Sequence, residues 1–88
     1  MKYEVRLSGR AQRDLDRLDK PTQKRMIRRL EQLAEDPYDP RLSGTLEGHE
    51  GLRKSRVGRW RIIYQVLHDQ RALFVLMAET RGQVYKRI

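Results

Sequence analysis

The sequence predicts an α+β domain with two helices on one face of a mainly antiparallel sheet. Three observations indicate this class: an alternating segment opens the chain, two segments with helical spacing follow, and strand-like segments fill the second half. The 88 residues are enough for one domain with a modest core, and we assign residues 1–88 to it. We expect an N-terminal strand, an antiparallel helical hairpin and a meander of about four strands.

The first half holds the opening strand and the first helix. Apolar residues at positions 3, 5 and 7 alternate with charged ones, which is typical of a short strand at the edge or in the middle of a sheet. Ser8 is then suited to cap a helix. The apolar stripe of that helix comprises Ala11, Leu15 and Leu18.

A second helix is predicted between Pro21, which suits the first helical position, and Asp36-Pro37, which cannot continue a helix. Its basic residues, Arg29 among them, are expected to lie outside the apolar face. That face is predicted to comprise Met26, Ile27, Leu30, Leu33 and Ala34. The sheet is the only element of the chain against which two such amphipathic helices can bury their stripes.

Two later segments differ sharply in character. Residues 36–51 carry two prolines and three glycines, which predicts an ordered loop between the helices and the sheet. Residues 72–78, ALFVLMA, form the most continuously apolar run of the chain. Such a run is typical of a strand buried on both faces, although a short buried helix has the same pattern.

The stretch from Lys54 to Tyr64 predicts a β-hairpin with Gly58-Arg59 as a type II′ turn. Val57 should then pair with Trp60, and Arg56 should lie opposite Arg61. Lys54, Arg56 and Arg61 are expected on one face. The opposite face is predicted to carry Val57, Trp60, Ile62, Tyr64 and Val66. Like charges opposite one another are destabilising, so stability does not explain two facing arginines, whereas a polyanionic ligand does.

Charge and composition narrow the class of protein. The formal charge is +8, and residues 52–88 carry nine Lys and Arg against two Asp and Glu. One-sided charge of this kind indicates binding to nucleic acid, phosphate or an acidic protein, with a solvated basic surface as the alternative. Cysteine is absent, no apolar run is long enough to cross a membrane, and the first residues lack a secretory apolar segment. We expect a cytoplasmic protein that has no membrane partner and no metal or other cofactor.

These segments together carry a family resemblance. It covers the opening strand, the helical hairpin, the Leu46-Glu-Gly48 segment, the RVGRWRIIY stretch that starts at Arg56, and the closing TRGQVY stretch that starts at Thr80. The chain resembles toxins of the RelE/ParE superfamily, and specifically the RelE-like branch from type II toxin–antitoxin pairs. The resemblance implies a ribosome-dependent endoribonuclease that cuts mRNA in the A site and is silenced by an antitoxin, which we expect to be net acidic.

The resemblance also implies roles for particular residues. The catalytic set would be Arg61, Arg81 and Tyr85. The residues that bind RNA or phosphate would be Lys54, Arg56 and Arg53. Position 55 departs from the pattern, because it holds Ser where relatives usually place an apolar residue facing the core.

The implied chemistry is attack by a ribose 2′-hydroxyl on the adjacent phosphate. Arginines suit stabilisation of the phosphorane, because a planar guanidinium can contact two of its oxygens. Tyr85 would act as base, if neighbouring cations favour its phenolate, or would only position the RNA. Two other functions stay open: a ParE-like inhibitor of DNA gyrase, and a basic RNA-binding module without catalysis. His49 and His68 lie in a loop and a turn, where a solvated side chain is the ordinary expectation.

Overall fold

The computed structural model describes residues 2–80. Its elements are β1 (Glu4–Leu7), α1 (Gly9–Asp16), α2 (Lys20–Glu35), β2 (Gly44–Thr45), β3 (Leu52–Val57), β4 (Trp60–Leu67), a 3-10 turn (His68–Gln70) and β5 (Ala72–Thr80). The strands form one sheet in the order β1-β5-β4-β3-β2. Every neighbouring pair is antiparallel except β1 and β5, which are parallel. The predicted α+β class is confirmed.

Both helices begin at the capping residues that local chemistry favours. The Ser8 hydroxyl accepts a hydrogen bond from the Ala11 amide at 3.0 Å, and Asp19 caps α2 through the Thr22 amide at 3.3 Å. Pro21 lies one residue inside the start of α2 and not at its first position, because Lys20 already has helical geometry. The helix ends at Glu35, directly before Asp36-Pro37, as predicted.

The core lies between the helices and one face of the sheet. Its buried side chains are Ala11 and Leu15 of α1, Met26, Leu30 and Leu33 of α2, and Val57, Ile62, Tyr64, Leu73, Val75 and Ala78 of the sheet. The prediction that Ile27 belongs to this apolar face was wrong, because its side chain is 50% exposed. Ile27 follows Met26 by about 100° around the helix, which turns it beyond the strip that the sheet covers.

The segment predicted as loop contains a strand that the sequence did not indicate. Gly44 and Thr45 pair with Lys54 and Arg53 of β3. Two residues are too few to show an alternating pattern, so this strand depends on its pairing with β3 and not on a local signal. The rest of the segment from 36 to 51 contains turns, which agrees with its proline and glycine content.

The apolar run at 72–78 belongs to β5, an interior strand between β1 and β4, so the strand interpretation is confirmed. β1 pairs only with residues 72–75, and α1 covers the edge of β5 beyond them. The Ser8 hydroxyl donates to the Leu76 carbonyl at 2.6 Å, and the Ala78 amide donates to Asp14 Oδ2 at 3.1 Å. These contacts satisfy backbone groups that would otherwise be open to another strand.

A β-bulge interrupts the pairing of β4 with β5. Ile63 faces Met77 and Tyr64 faces Val75, which leaves Leu76 as an extra residue in β5. Up to the bulge the odd-numbered residues of β5 face the helices, and after it Ala78 does so. The bulge therefore places Glu79 on the face of the sheet that is turned away from the helices.

Candidate functional site

The β3–β4 hairpin has the predicted register. Val57 pairs with Trp60, and Arg56 lies opposite Arg61. Gly58 has a φ of +62°, and Arg59 does not have a positive φ. This combination is the one that a type II′ turn requires, since only its first central residue has a positive φ.

The two faces of the hairpin differ in the way that the alternation predicted. Val57, Ile62 and Tyr64 are buried beneath the helices, and Trp60 is half-buried and packs against the same core. On the other face Arg56 is exposed, while Lys54 and Arg61 are half-buried. The structure thus brings Lys54, Arg56 and Arg61 together on the face that the helices leave uncovered, which we call the open face.

A cavity of about 230 Å³ lies at the end of this hairpin. Its lining consists of Arg56, Gly58, Arg59, Trp60 and Arg61. The Nε atom of Arg61 is buried and has no hydrogen-bond partner among residues 2–80. A buried donor without a partner costs about 1–3 kcal/mol, so a ligand with an acceptor such as a phosphate oxygen would relieve that cost. Three guanidinium groups around one cavity suit a polyanion.

A buried carboxylate lies beside these cations. Glu79 is only 6% exposed and pairs with Arg61 across the β4–β5 ladder. Its Oε2 atom lies 3.6 Å from Nη2 of Arg10, which α1 brings to the site. Arg56, Arg61 and Glu79 therefore follow one another across three strands of the open face. The carboxylate offsets part of the repulsion between the two facing arginines.

Arg53, which was assigned to RNA or phosphate with Lys54 and Arg56, is not brought to the open face. It pairs with Tyr64 and so lies on the helix side of the sheet. Its Nε atom donates to Ser43 Oγ at 2.9 Å, and its guanidinium lies 4.7 Å from the centre of the Tyr38 ring. Any phosphate contact by Arg53 would therefore belong to a different surface from the cavity at the hairpin end.

Arg81 and Tyr85, the other two residues of the predicted catalytic set, lie outside the described residues. Their roles stay predictions from the sequence. Among residues 2–80, the hairpin end brings together Arg56 and Arg61 of the predicted site.

The histidines and acidic residues supply no catalytic cluster within the described part of the chain. His68 stacks on Tyr38 with ring centres 5.6 Å apart, and its Nε2 atom lies 2.6 Å from the Tyr38 hydroxyl. His49 lies exposed in the loop before β3. Residues 2–80 contain no group of three or more His, Asp or Glu side chains that could hold a metal ion. The ionisable side chains that line the cavity at the hairpin end are those of Arg56, Arg59 and Arg61.

Sequence reasoning did not single out three arginines that the structure places at or near the hairpin. Arg59 lines the cavity, Arg10 contacts Glu79, and Arg29 reaches from α2 to β3. The position of Arg59 in the predicted turn was a signal, because a turn residue beside two facing arginines adds to the same patch. The sequence contained no comparable signal for Arg10 or Arg29, since helical periodicity does not show how far a long side chain extends.

Comparison with known proteins identifies the family. A family model described as the ParE toxin of type II toxin–antitoxin systems, parDE, matches residues 5–85. The chain belongs to this ParE toxin family. A search of curated protein sequences found no match. The resemblance to the RelE/ParE superfamily that the sequence showed is thereby confirmed.

Solved structures show the same fold among RelE toxins. RelE in a RelE–RelB complex from Pyrococcus horikoshii is 25% identical, with a TM-score of 0.79 over 94% of this chain and 99% of that one. The RelBE2 toxin–antitoxin complex from Mycobacterium tuberculosis gives 24% identity and a TM-score of 0.79 over 92% of this chain and 100% of that one. The isolated Escherichia coli RelE toxin gives 21% identity and a TM-score of 0.78 over 97% and 93%. The ParE-family chain described here therefore has the RelE toxin fold.

Within residues 2–80, no helix is long and apolar enough to cross a membrane. The longest of these helices, α2, has 16 residues, with its buried apolar side chains on one face and charged side chains on the rest of its surface. This pattern is that of a helix with one buried face.

Proposed function

We propose that this ParE-family toxin is an mRNA interferase that cleaves mRNA in the ribosomal A site. The observation that supports the proposal most is the pair of facing arginines, Arg56 and Arg61, above a cavity in which Arg61 Nε has no partner within residues 2–80. Such an arrangement destabilises the free protein, so it suits a protein whose ligand carries closely spaced negative charges.

The proposed reaction is attack by the ribose 2′-oxygen on the adjacent phosphorus, which expels the 5′-oxygen of the next nucleotide. Arg61 stabilises the charge that develops on the phosphorane oxygens, because its guanidinium can donate two parallel hydrogen bonds. Lys54 and Arg56 hold the RNA backbone beside it. This division of roles makes the step depend on positioned charge and not on a metal ion.

The remaining roles would fall to Tyr85 and Arg81, and the expelled 5′-oxygen would take its proton from water. Tyr85 would accept the proton of the 2′-hydroxyl or, failing that, position the ribose. Arg81 would stabilise the charge on the leaving oxygen, since a guanidinium is too weak an acid to be a good proton donor. A site with a weak intrinsic base needs its RNA held in the reactive geometry, and the ribosome would supply that alignment.

The test is primer extension on an mRNA that is translated in a purified system, with and without ribosomes. We expect cleavage only with ribosomes, and we expect Arg61→Ala to slow the single-turnover step by at least about 10²-fold. Arg28→Ala removes the same charge from an exposed position on α2 and should cleave normally. Cleavage by Arg61→Ala at the wild-type rate would contradict the catalytic role of Arg61.

The family model favours a second candidate function, because it is named for ParE toxins. In this alternative the same fold inhibits DNA gyrase by binding, without nuclease chemistry. A supercoiling assay with purified gyrase distinguishes the two. Inhibition of gyrase by a protein that leaves translated mRNA intact would support this candidate and refute the first.

We also propose that the toxin is held inactive by a net-acidic antitoxin. The solved RelE relatives from P. horikoshii and M. tuberculosis are in complexes with their antitoxins. In this chain the open face and the closing segment give residues 52–88 a strong excess of Lys and Arg. An acidic segment that folds on binding would meet that surface by charge and cover the cavity.

A further inference from the structure

We propose that Arg29 of α2 is a positioning residue for the site. It holds the backbone of β3 at Ser55 and Arg56, and so fixes the direction in which the Arg56 side chain meets RNA. This inference rests on the proposed function, because it concerns the same binding face. It assigns a role to a residue that lies on the opposite side of the sheet from the ligand.

The contacts of Arg29 connect a helix to the back of the hairpin. Its Nη1 atom donates to Ser55 Oγ at 2.9 Å and also to the backbone carbonyl of Arg56. Its Nε atom donates to Gln32 Oε1 at 3.1 Å, one turn further along α2. The guanidinium is thus fixed on the helix side and bonded to two consecutive residues of β3.

Ser55 provides the acceptor that allows the Arg29 guanidinium to lie between α2 and β3. Its side chain is buried, with 1% exposure, among residues that are otherwise apolar. A buried hydroxyl needs a hydrogen-bond partner, and Arg29 supplies it. The polar residue at position 55, where relatives usually place an apolar one, therefore forms a specific polar contact between helix and sheet.

The end of β3 has particular need of such a contact. β2 pairs only with Arg53 and Lys54, so residues 55–57 have no strand partner on that side among the described residues. Arg29 supplies a charge-assisted hydrogen bond to the Arg56 carbonyl there. One turn earlier on α2, Arg25 lies against the turn, since a Cβ at position 58 would be 3.0 Å from its Nη2 atom. The helix thus supports both the strand end and the turn.

Because neighbouring residues of a strand point to opposite faces, the backbone at position 56 sets where the Arg56 side chain lies on the open face. A shift of that backbone would move Arg56 relative to Arg61, although neither side chain contacts Arg29. We therefore expect loss of Arg29 to weaken RNA binding, as loss of Arg56 does, by a smaller factor.

The experiment must separate positioning from simple stabilisation, and the double variant Arg29→Leu/Ser55→Val does so. It replaces both buried partners by apolar groups, which can leave stability nearly unchanged. Arg28→Leu is the matched control, because it removes one exposed arginine from α2 that makes no hydrogen bond or ion pair within residues 2–80. Urea unfolding of each variant establishes that the folded fraction is comparable.

Steady-state cleavage of mRNA on programmed ribosomes gives the first readout. We expect the double variant to raise KM by about threefold, less than the roughly tenfold rise expected if the charge-assisted phosphate contact of Arg56 itself were lost, with kcat within about twofold of wild type. A purely structural role would instead lower the active fraction, which reduces apparent kcat and leaves KM unchanged. Arg29→Lys keeps the positive charge and a hydrogen-bond donor, so its KM should lie between that of the wild type and that of the double variant.

Amide hydrogen exchange gives a second readout that does not depend on cleavage. Residues 55–59 should exchange about tenfold faster in the double variant, while residues 72–78 keep their wild-type protection. Unchanged exchange at 55–59, or an unchanged KM in an active enzyme, would overturn the inference. If the wild-type protein does not cleave mRNA, the proposed function fails, and the exchange experiment alone decides whether Arg29 holds the strand.

Discussion

The open face makes a quantitative prediction about salt dependence. The cations of the hairpin on this side are Lys54, Arg56, Arg59 and Arg61, and under the proposed function each would neutralise one phosphate. Each contact with single-stranded nucleic acid releases counterions that lower the slope of log K against log salt by about 0.7. Four contacts predict a slope of about −2.8, and Lys54→Ala/Arg56→Ala should reduce its magnitude to about 1.4.

The assay is fluorescence anisotropy with a short single-stranded RNA whose riboses are 2′-O-methylated, so that no 2′-hydroxyl is available for attack. Affinity is measured between about 50 and 200 mM KCl, a range in which counterion release dominates. The matched control is Arg28→Ala/Arg41→Ala, which also removes two positive charges. Arg28 is exposed on α2, and Arg41 is exposed in the loop before β2, where it pairs with Asp39 at 2.9 Å.

Two results would refute the reasoning. If the control flattens the slope as much as Lys54→Ala/Arg56→Ala, the RNA responds to net charge and not to the open face. If the slope is unchanged while cleavage collapses, Lys54 and Arg56 belong with the catalytic residues and not with the RNA-binding ones. The wild-type slope also gives the number of phosphates contacted, which tests the count of four.

Two further predictions concern the scaffold. Tyr64→Phe removes the hydroxyl that donates to the Pro37 carbonyl at 2.6 Å in the core, and should lower the free energy of unfolding by about 1–3 kcal/mol in urea titrations. Tyr3→Phe is its control, because the Tyr3 hydroxyl makes no hydrogen bond within residues 2–80, and an equal loss in both variants would contradict the assignment. Hydrogen bonds from Thr22 hold the pKa of Asp19 below its ordinary value, so the stability they provide is complete above that ordinary value and is lost as the pH falls through the lower folded value. Asp19→Asn keeps a cap that does not titrate, and a pH series of unfolding midpoints in acid should show a shallower decline for it than for wild type.

The hairpin was predictable because its signals are local. Alternation on both sides of Gly58-Arg59 fixes the turn, the turn fixes the register, and the register brings Arg56 opposite Arg61. The helix starts at Ser8 and Asp19 follow from capping chemistry in the same way. For these elements the information lies within a few neighbouring residues.

What the sequence did not show depends on contacts between distant segments. The strand at Gly44–Thr45 exists through its pairing with β3, and Ile27 is exposed because the sheet covers less of α2 than the apolar stripe suggests. Arg29 lies on the flank of the helix, where its long side chain can extend either into solvent or toward Ser55. The periodicity of the sequence shows on which side of the helix a residue lies. The position of the guanidinium at the end of a long, flexible side chain depends on tertiary packing.

The bulge at Leu76 divides β5 into two halves of opposite phase. Before it, Leu73 and Val75 face the core, and after it Ala78 does, so that Glu79 reaches the side of Arg61. Deleting Leu76 would remove the extra residue and leave a regular ladder, in which Met77 still faces Ile63, Ala78 still faces the core and Glu79 still lies opposite Arg61. A slip of one residue that loses the bulge but keeps Leu76 would instead turn every following side chain of the strand to the other face, sending the Glu79 carboxylate toward the helices and Ala78 toward the open face. The alignment of site and core in this fold therefore depends on keeping the register of β4 against β5, and the bulge is how a strand with one extra residue keeps it.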